Sequence, residues 1–156
     1  MVAEHPGVVR VRNRLVELGA TGEVHVLDEA ARTAQQAADA LGVQVAQIAN
    51  SLVFEVEGTA LLVLASGAQR VDTVLLAEQL GAAVHRATPE FVRAHTGFAI
   101  GGVAPVGHPE PIRTLVDTEL ARHEVVWAAA GHPHAVFPTS FDELVRITGG
   151  APARLR

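Results

Sequence analysis

Two apolar, β-branched runs, residues 51–56 and 59–65, are separated only by Glu57-Gly58. An acidic residue followed by Gly between two such runs is the signature of a tight hairpin, because Gly accepts the left-handed backbone that reverses a twisted strand pair. The rest of the chain must supply further strands and covering helices.

The flanking sequence does so in alternation. Val8, Val11, Leu15 and Leu18 follow a 3-4-3 spacing that predicts a helix over residues 6–18, closed by Gly19. Thr33 with Gln36 reads as a capping box opening an Ala-rich helix that stops at Gly42. Asp72 caps a helix reaching Leu80, and Thr88-Pro89-Glu90 starts another, with Thr as cap and Pro in the first turn. Ser140 with Glu143 is a second capping box, for a helix ending at Gly149-Gly150. Short strands are predicted over residues 23–27, 83–86, 112–116, 124–130 and 134–137, with a short helix from Asp117. That makes about seven strands and four to six helices. Several connections are too short for parallel crossovers, so the expected fold is α/β (α+β), with a mixed sheet wrapped by helices around one core. Residues 1–156 read as a single domain, with residues 151–156 a frayed tail.

Composition narrows the chemistry. With 49% hydrophobic and 19% charged residues, the chain is not disordered. Its apolar runs fall far short of the ~20 residues of a membrane span, and residues 1–6 lack a signal pattern. There is no Cys, which excludes disulfides, thiolate nucleophiles, Cys-ligated zinc and iron–sulfur clusters, and a cytoplasmic location is expected. All 12 basic residues are Arg. A GC-rich coding bias accounts for this, and it removes Schiff-base, lysine-base and lysine-clamp chemistry. The net charge of −5 argues against general nucleic-acid binding, though not against a local Arg patch holding one RNA end.

Residues 96–108, TGFAIGGVAPVGH, carry Gly at 97, 101, 102 and 107. They match neither a dinucleotide fingerprint nor a phosphate loop, which needs a Lys. Gly101 and Gly102 follow an apolar stretch, and Pro105 stiffens what comes next. Paired glycines let backbone N–H groups approach a ligand, as an anion nest or oxyanion hole, or they form a plain glycine bulge; spacing does not choose. His132 and His134, two apart, would share a strand face and with His108 could form a metal site, or Pro133 makes them a turn. Ser51 lacks a nucleophile elbow, and Asn50 before it reads as a turn residue. His25, His85, His95 and His123 are isolated, and Trp127 among Val and Ala reads as core.

Taken together, these motifs resemble the YbaK/EbsC family of prolyl-tRNA-synthetase-associated editing domains. The resemblance runs from about Val8 to Gly150. It rests on Thr33, residues 51–54, Ser66-Gly67, Arg70-Val71-Asp72, the segment 96–108, Val116-Asp117 and residues 127–137. Its most specific part is the G-x-x-x-P loop, Gly101 to Pro105. The family implies a mixed, partly curled central sheet surrounded by helices, and hydrolysis of misacylated tRNA, of tRNA-Pro type, without a metal or cofactor. Amides of Gly101 and Gly102 would hold the ester carbonyl while water attacks, assisted by a terminal ribose hydroxyl. Asn50 and Ser51 would hold the terminal adenosine, and Thr33, Ser66, Gly67, Phe98, Ile100, Pro105, His108, His132 and His134 would line the substrate site. The partners implied are the aminoacylated tRNA acceptor end and an aminoacyl-tRNA synthetase, with no membrane. Two departures stand out: Asn50 occupies the position where the family usually carries Lys, and Val106 one where Phe is usual. The Asn50 change leaves a non-catalytic tRNA-end or small-molecule binder as the rival reading, and a His108, His132, His134 metal hydrolase as a third.

Overall fold

A computed structural model describes all 156 residues. Eight strands form one open mixed sheet: β1 (His25–Val26), β2 (Ile48–Val56), β3 (Thr59–Ser66), β4 (His85–Arg86), β5 (Arg113–Asp117), β6 (Val126–His132), β7 (Ala135–Thr139) and β8 (Ala151–Ala153). Their order across the sheet is β1-β7-β6-β2-β3-β5-β8, with β4 on β2 beside this path. The hairpin is antiparallel, pairing Val56 with Thr59 and Asn50 with Ala65. Strand β6 then lies parallel to β2, and β5 parallel to β3. The hairpin is thus the centre of the sheet, which needs cover on both faces.

The helices supply that cover: α1 (Pro6–Glu17), α2 (Ala34–Leu41), α3 (Thr73–Leu80), α4 (Pro89–Thr96) and α5 (Phe141–Thr148). Strand alternation divides β3 between two cores. Leu62 and Leu64 join Val8, Val11, Leu15, Phe137 and Leu144 on one face. Leu61, Val63 and Ala65 join Leu76, Leu115 and Leu155 on the other. A smaller cluster, Ala37, Ala38 and Ile48, sits under α2.

The predicted caps form, with one difference. Thr33 and Ser140 accept from the backbone N–H of Gln36 and Glu143, both at 3.1 Å. Neither box is reciprocal: the Gln36 side chain accepts from the Arg32 N–H at 2.9 Å, and Glu143 Oε1 accepts from the Thr139 hydroxyl at 2.7 Å. The helix from Asp117 is a single tight 3₁₀ segment, Thr118–Arg122.

The chain end corrects the expectation of a frayed tail. Ala151–Ala153 pair in parallel with Leu115, Val116 and Asp117 of β5. The Asp72 N–H donates to the Leu155 carbonyl at 2.9 Å, and Leu155 is only 2% exposed. Burial of Leu155 against the α3 core, together with the pairing to β5, stabilises the ordered tail against its entropy cost, and no local pattern reveals either contact.

Candidate functional site

A cavity of about 150 Å³ opens between α2, the β2 strand start, the β6–β7 hairpin and the loop after α4. Thr33, Asn50, Ser51, Ile100, Gly101 and His132 all line it. These residues are scattered over a hundred positions, and the fold brings them to one wall. Thr33 is placed by its capping role, and Asn50-Ser51 by pairing with Ala65 and Leu64. No Asp, Glu or Arg lines the cavity, whose walls are chiefly Ala, Ile, Val and Trp side chains. Trp127, expected in the core, is half-buried and forms part of that wall, edge-on to His25 at 5.1 Å.

The Gly-rich loop is built for close approach. Gly101 has φ +92°, a region that side chains rarely adopt. The Gly102 N–H donates to the Ala99 carbonyl at 3.0 Å and closes a turn. This corrects the paired-amide expectation: Gly102 has already used its donor, whereas the Gly101 N–H has no partner within the chain. The Val103 N–H is likewise free, and Val103 also lines the cavity.

Ser51 adds a second unmet group. Its Oγ is buried and makes no hydrogen bond. Gln69 Oε1 is the other such atom, and Ser51 and Gln69 together line an adjoining cavity of about 420 Å³ that shares Ile100, Gly101 and Val103 with the first. Buried polar atoms are ordinarily paired, so two orphans on one cavity point to groups that a ligand would satisfy. Gln69 carries no spacing or motif signal and becomes visible only through this placement.

Five expected site residues lie elsewhere. The Ser66 N–H donates to Asp117 Oδ2 at 2.9 Å, and its hydroxyl to the Ala46 carbonyl at 2.8 Å, so both its groups tie strands together. The Gly67 N–H donates to the Ile48 carbonyl at 2.8 Å. Pro105 is buried. His108 donates from Nε2 to the Ala104 carbonyl at 2.8 Å and faces Arg10 and Asn13 on another surface. His134 sits in the turn after β6, with Nδ1 at 3.1 Å from the Leu27 carbonyl. A sixth, Phe98, is 2% exposed and packs in the core under Arg10.

The His132-Pro133-His134 motif is therefore the turn alternative. His132 ends β6 and His134 precedes β7, so they share no strand face, although their rings lie 5.3 Å apart, tilted by 41°. No group of three or more His, Asp or Glu side chains is arranged to hold a metal ion. His132 Nδ1 accepts from the His134 backbone N–H at 3.1 Å, so the neutral ring carries its proton on Nε2. Burial lowers the His132 pKa, and coulombic repulsion from His5, His134 and Arg32 lowers it further. With Nδ1 held by that N–H, the neutral ring offers its Nε2–H as a hydrogen-bond donor.

In Bacillus subtilis the protein YwhH is 29% identical over 135 residues, 86% of each chain. A proline–tRNA ligase of Nitratidesulfovibrio vulgaris is 35% identical over 91 residues, 58% of this chain and 16% of the ligase. The crystal structure of a candidate trans-editing enzyme for prolyl tRNA synthetase superposes with a TM-score of 0.91 at 43% identity, covering 97% of both chains. The model of the aminoacyl-tRNA editing domain matches residues 28–147, and the chain belongs to that family.

Proposed function

We propose that the protein is a free-standing aminoacyl-tRNA deacylase that hydrolyses the ester of a misacylated tRNA, of tRNA-Pro type. The observation that carries this reading is the pairing of two unmet groups on one cavity: the Gly101 N–H and the buried Ser51 hydroxyl.

In this reading the aminoacyl side chain enters the smaller cavity. Its volume of about 150 Å³ and its lack of charged walls suit a small, neutral side chain. The ester carbonyl lies against the Gly101 N–H, with the Val103 N–H as a second donor. Water adds to the carbonyl carbon, and the amide stabilises the negative charge that develops on its oxygen. The carbon–oxygen bond to the ribose then breaks, the ribose oxygen takes a proton, and the free amino acid leaves. His132 donates from Nε2. No side chain of the cavity is a strong base, so the neighbouring ribose hydroxyl orients the water. Ser51 and Asn50 hold the terminal adenosine. A cytoplasmic location and contact with an aminoacyl-tRNA synthetase accord with such a substrate.

The test is hydrolysis of a panel of misacylated tRNAs, with and without a chelator. Turnover of tRNA bearing small neutral amino acids, unaffected by EDTA, is the expected result. Binding without turnover on every member of the panel would leave the non-catalytic tRNA-end binder instead. Activity lost with EDTA and restored by zinc would overturn the metal-free chemistry.

A further inference from the structure

Behind the Gly-rich loop lies a separate cavity of about 420 Å³ lined by Arg10, Arg32, Arg93, His5 and His132, with no carboxylate among its walls. In a chain of net charge −5, such a gathering is unusual. Acidic residues outnumber basic ones 17 to 12, yet none has been placed here. The ion pairs of the protein use Arg14, Arg122 and Arg146 and leave these three Arg unpaired. The side chains of Arg32 and Arg93 make no hydrogen bond within the chain. Arg10 has structural work, donating to the Gly97 carbonyl at 3.1 Å and lying 4.7 Å over the Phe98 ring. The His5 and His132 rings meet edge-on at 4.8 Å.

The position is as telling as the charge. Gly102 lines this cavity and Gly101 the smaller one, while His132 lines both. A β-carbon on Gly101 would stand 3.8 Å from Arg32 Cα, so Arg32 backs the loop. A nucleic-acid strand whose esterified end lay at Gly101 would bring its nearest phosphates within reach of the cavity that adjoins that loop. Planar guanidinium groups meet phosphate oxygens two at a time, and this chain has no Lys to do so.

We propose that this cavity is an anion site that seats a phosphodiester of the RNA strand whose end enters the ester cavity. The inference rests on the deacylase reading, and the following experiment separates the two. Wild type and the double variant Arg32→Gln/Arg93→Gln are compared; Arg10 is spared because it packs on Phe98. Three probes are used: a short single-stranded RNA with a free 3′ end, inorganic phosphate, and an aminoacyl ester of adenosine that has no phosphate. In the variant, RNA binding weakens on the order of tenfold. The slope of log affinity against log salt becomes shallower by about 0.7 for each phosphate released. Hydrolysis of the phosphate-free ester is read in the single variant Arg93→Gln, because Arg32 backs Gly101, and it changes less than about twofold.

Unchanged RNA affinity and salt slope, with the ester still hydrolysed, would overturn the anion site and leave the deacylase intact. Loss of RNA binding in the variant with no ester hydrolysis by wild type would support the site and remove the deacylase reading. Inorganic phosphate that shifts the His5 and His132 NMR signals, with RNA binding unaltered by the variant, would overturn RNA as the occupant.

Discussion

A β-carbon placed on Gly102 would come within 3.0 Å of both the backbone nitrogen and Cα of His132. Both neighbours are backbone, so neither can swing aside. Gly101 is the opposite case: a β-carbon there has room, its nearest neighbour being Arg32 at 3.8 Å, but its φ of +92° strains any side chain. The two glycines are needed for different reasons, one for contact and one for conformation.

Gly102→Ala and Gly101→Ala are therefore both expected to lower deacylation, by about 10²–10³ if the Gly101 donor is displaced. The Gly101 change also costs about 1–3 kcal/mol of stability, read by urea unfolding. Near-normal turnover in a folded Gly101→Ala protein would take the loop out of the mechanism.

Ser51→Ala removes a buried hydroxyl that has no partner in the chain. Stability should hold or rise by up to about 1 kcal/mol, since an unmet polar group is lost. Affinity for the aminoacylated end should fall. A clear loss of stability would mean that the hydroxyl is satisfied by water and is structural.

Asn50 lines a cavity with no charged wall. Asn50→Lys is expected to tighten binding of an aminoacylated acceptor end and to steepen its salt slope by roughly 0.7, as for one phosphate on a single strand. Weaker binding with an unchanged slope would show instead that Asn50 hydrogen-bonds the substrate.

The family resemblance implies a substrate contact at Ser66, but its N–H is held by Asp117, a residue only 1% exposed. Asp117 Oδ1 also accepts from the Glu119 N–H at 2.9 Å. Asp117→Ala should cost about 1–3 kcal/mol by leaving a buried donor unpaired. The KM of the folded fraction should be unchanged, and a large KM shift would restore Ser66 to the substrate site.

Burial lowers the pKa of His108; its bond to the Ala104 carbonyl opposes this, and Arg10 adds to it. Between the lowered folded value and the ordinary imidazole value of 6.5, the unfolded chain binds more protons than the folded one. Its contribution is therefore complete above pH 6.5 and is lost as pH falls toward the folded value. Melting temperature should drop on acidification below pH 6.5, and His108→Gln should flatten that slope. An equal slope in the variant would assign the effect to other groups.

Local chemistry determined much of this protein. The hairpin around Glu57-Gly58, the caps at Thr33, Asp72, Thr88 and Ser140, and the helix stops at Gly42, Gly81 and Gly149 are all contacts between near neighbours, so spacing alone reveals them. The Gly101–Gly102 loop was equally visible, because glycine pairs mark places where a backbone must come close. What only the tertiary structure decided depends on long-range pairing. The placement of β6 beside β2 carries His132 and Trp127 to the cavity that Asn50 and Ser51 line. The same packing spends the Gly102 amide and the groups of Ser66 on structure, orders the tail through Leu155, and gathers Arg10, Arg32 and Arg93 from three separate segments. A residue type shows what a group can do. Whether the group is already satisfied depends on neighbours that the chain brings together only when folded.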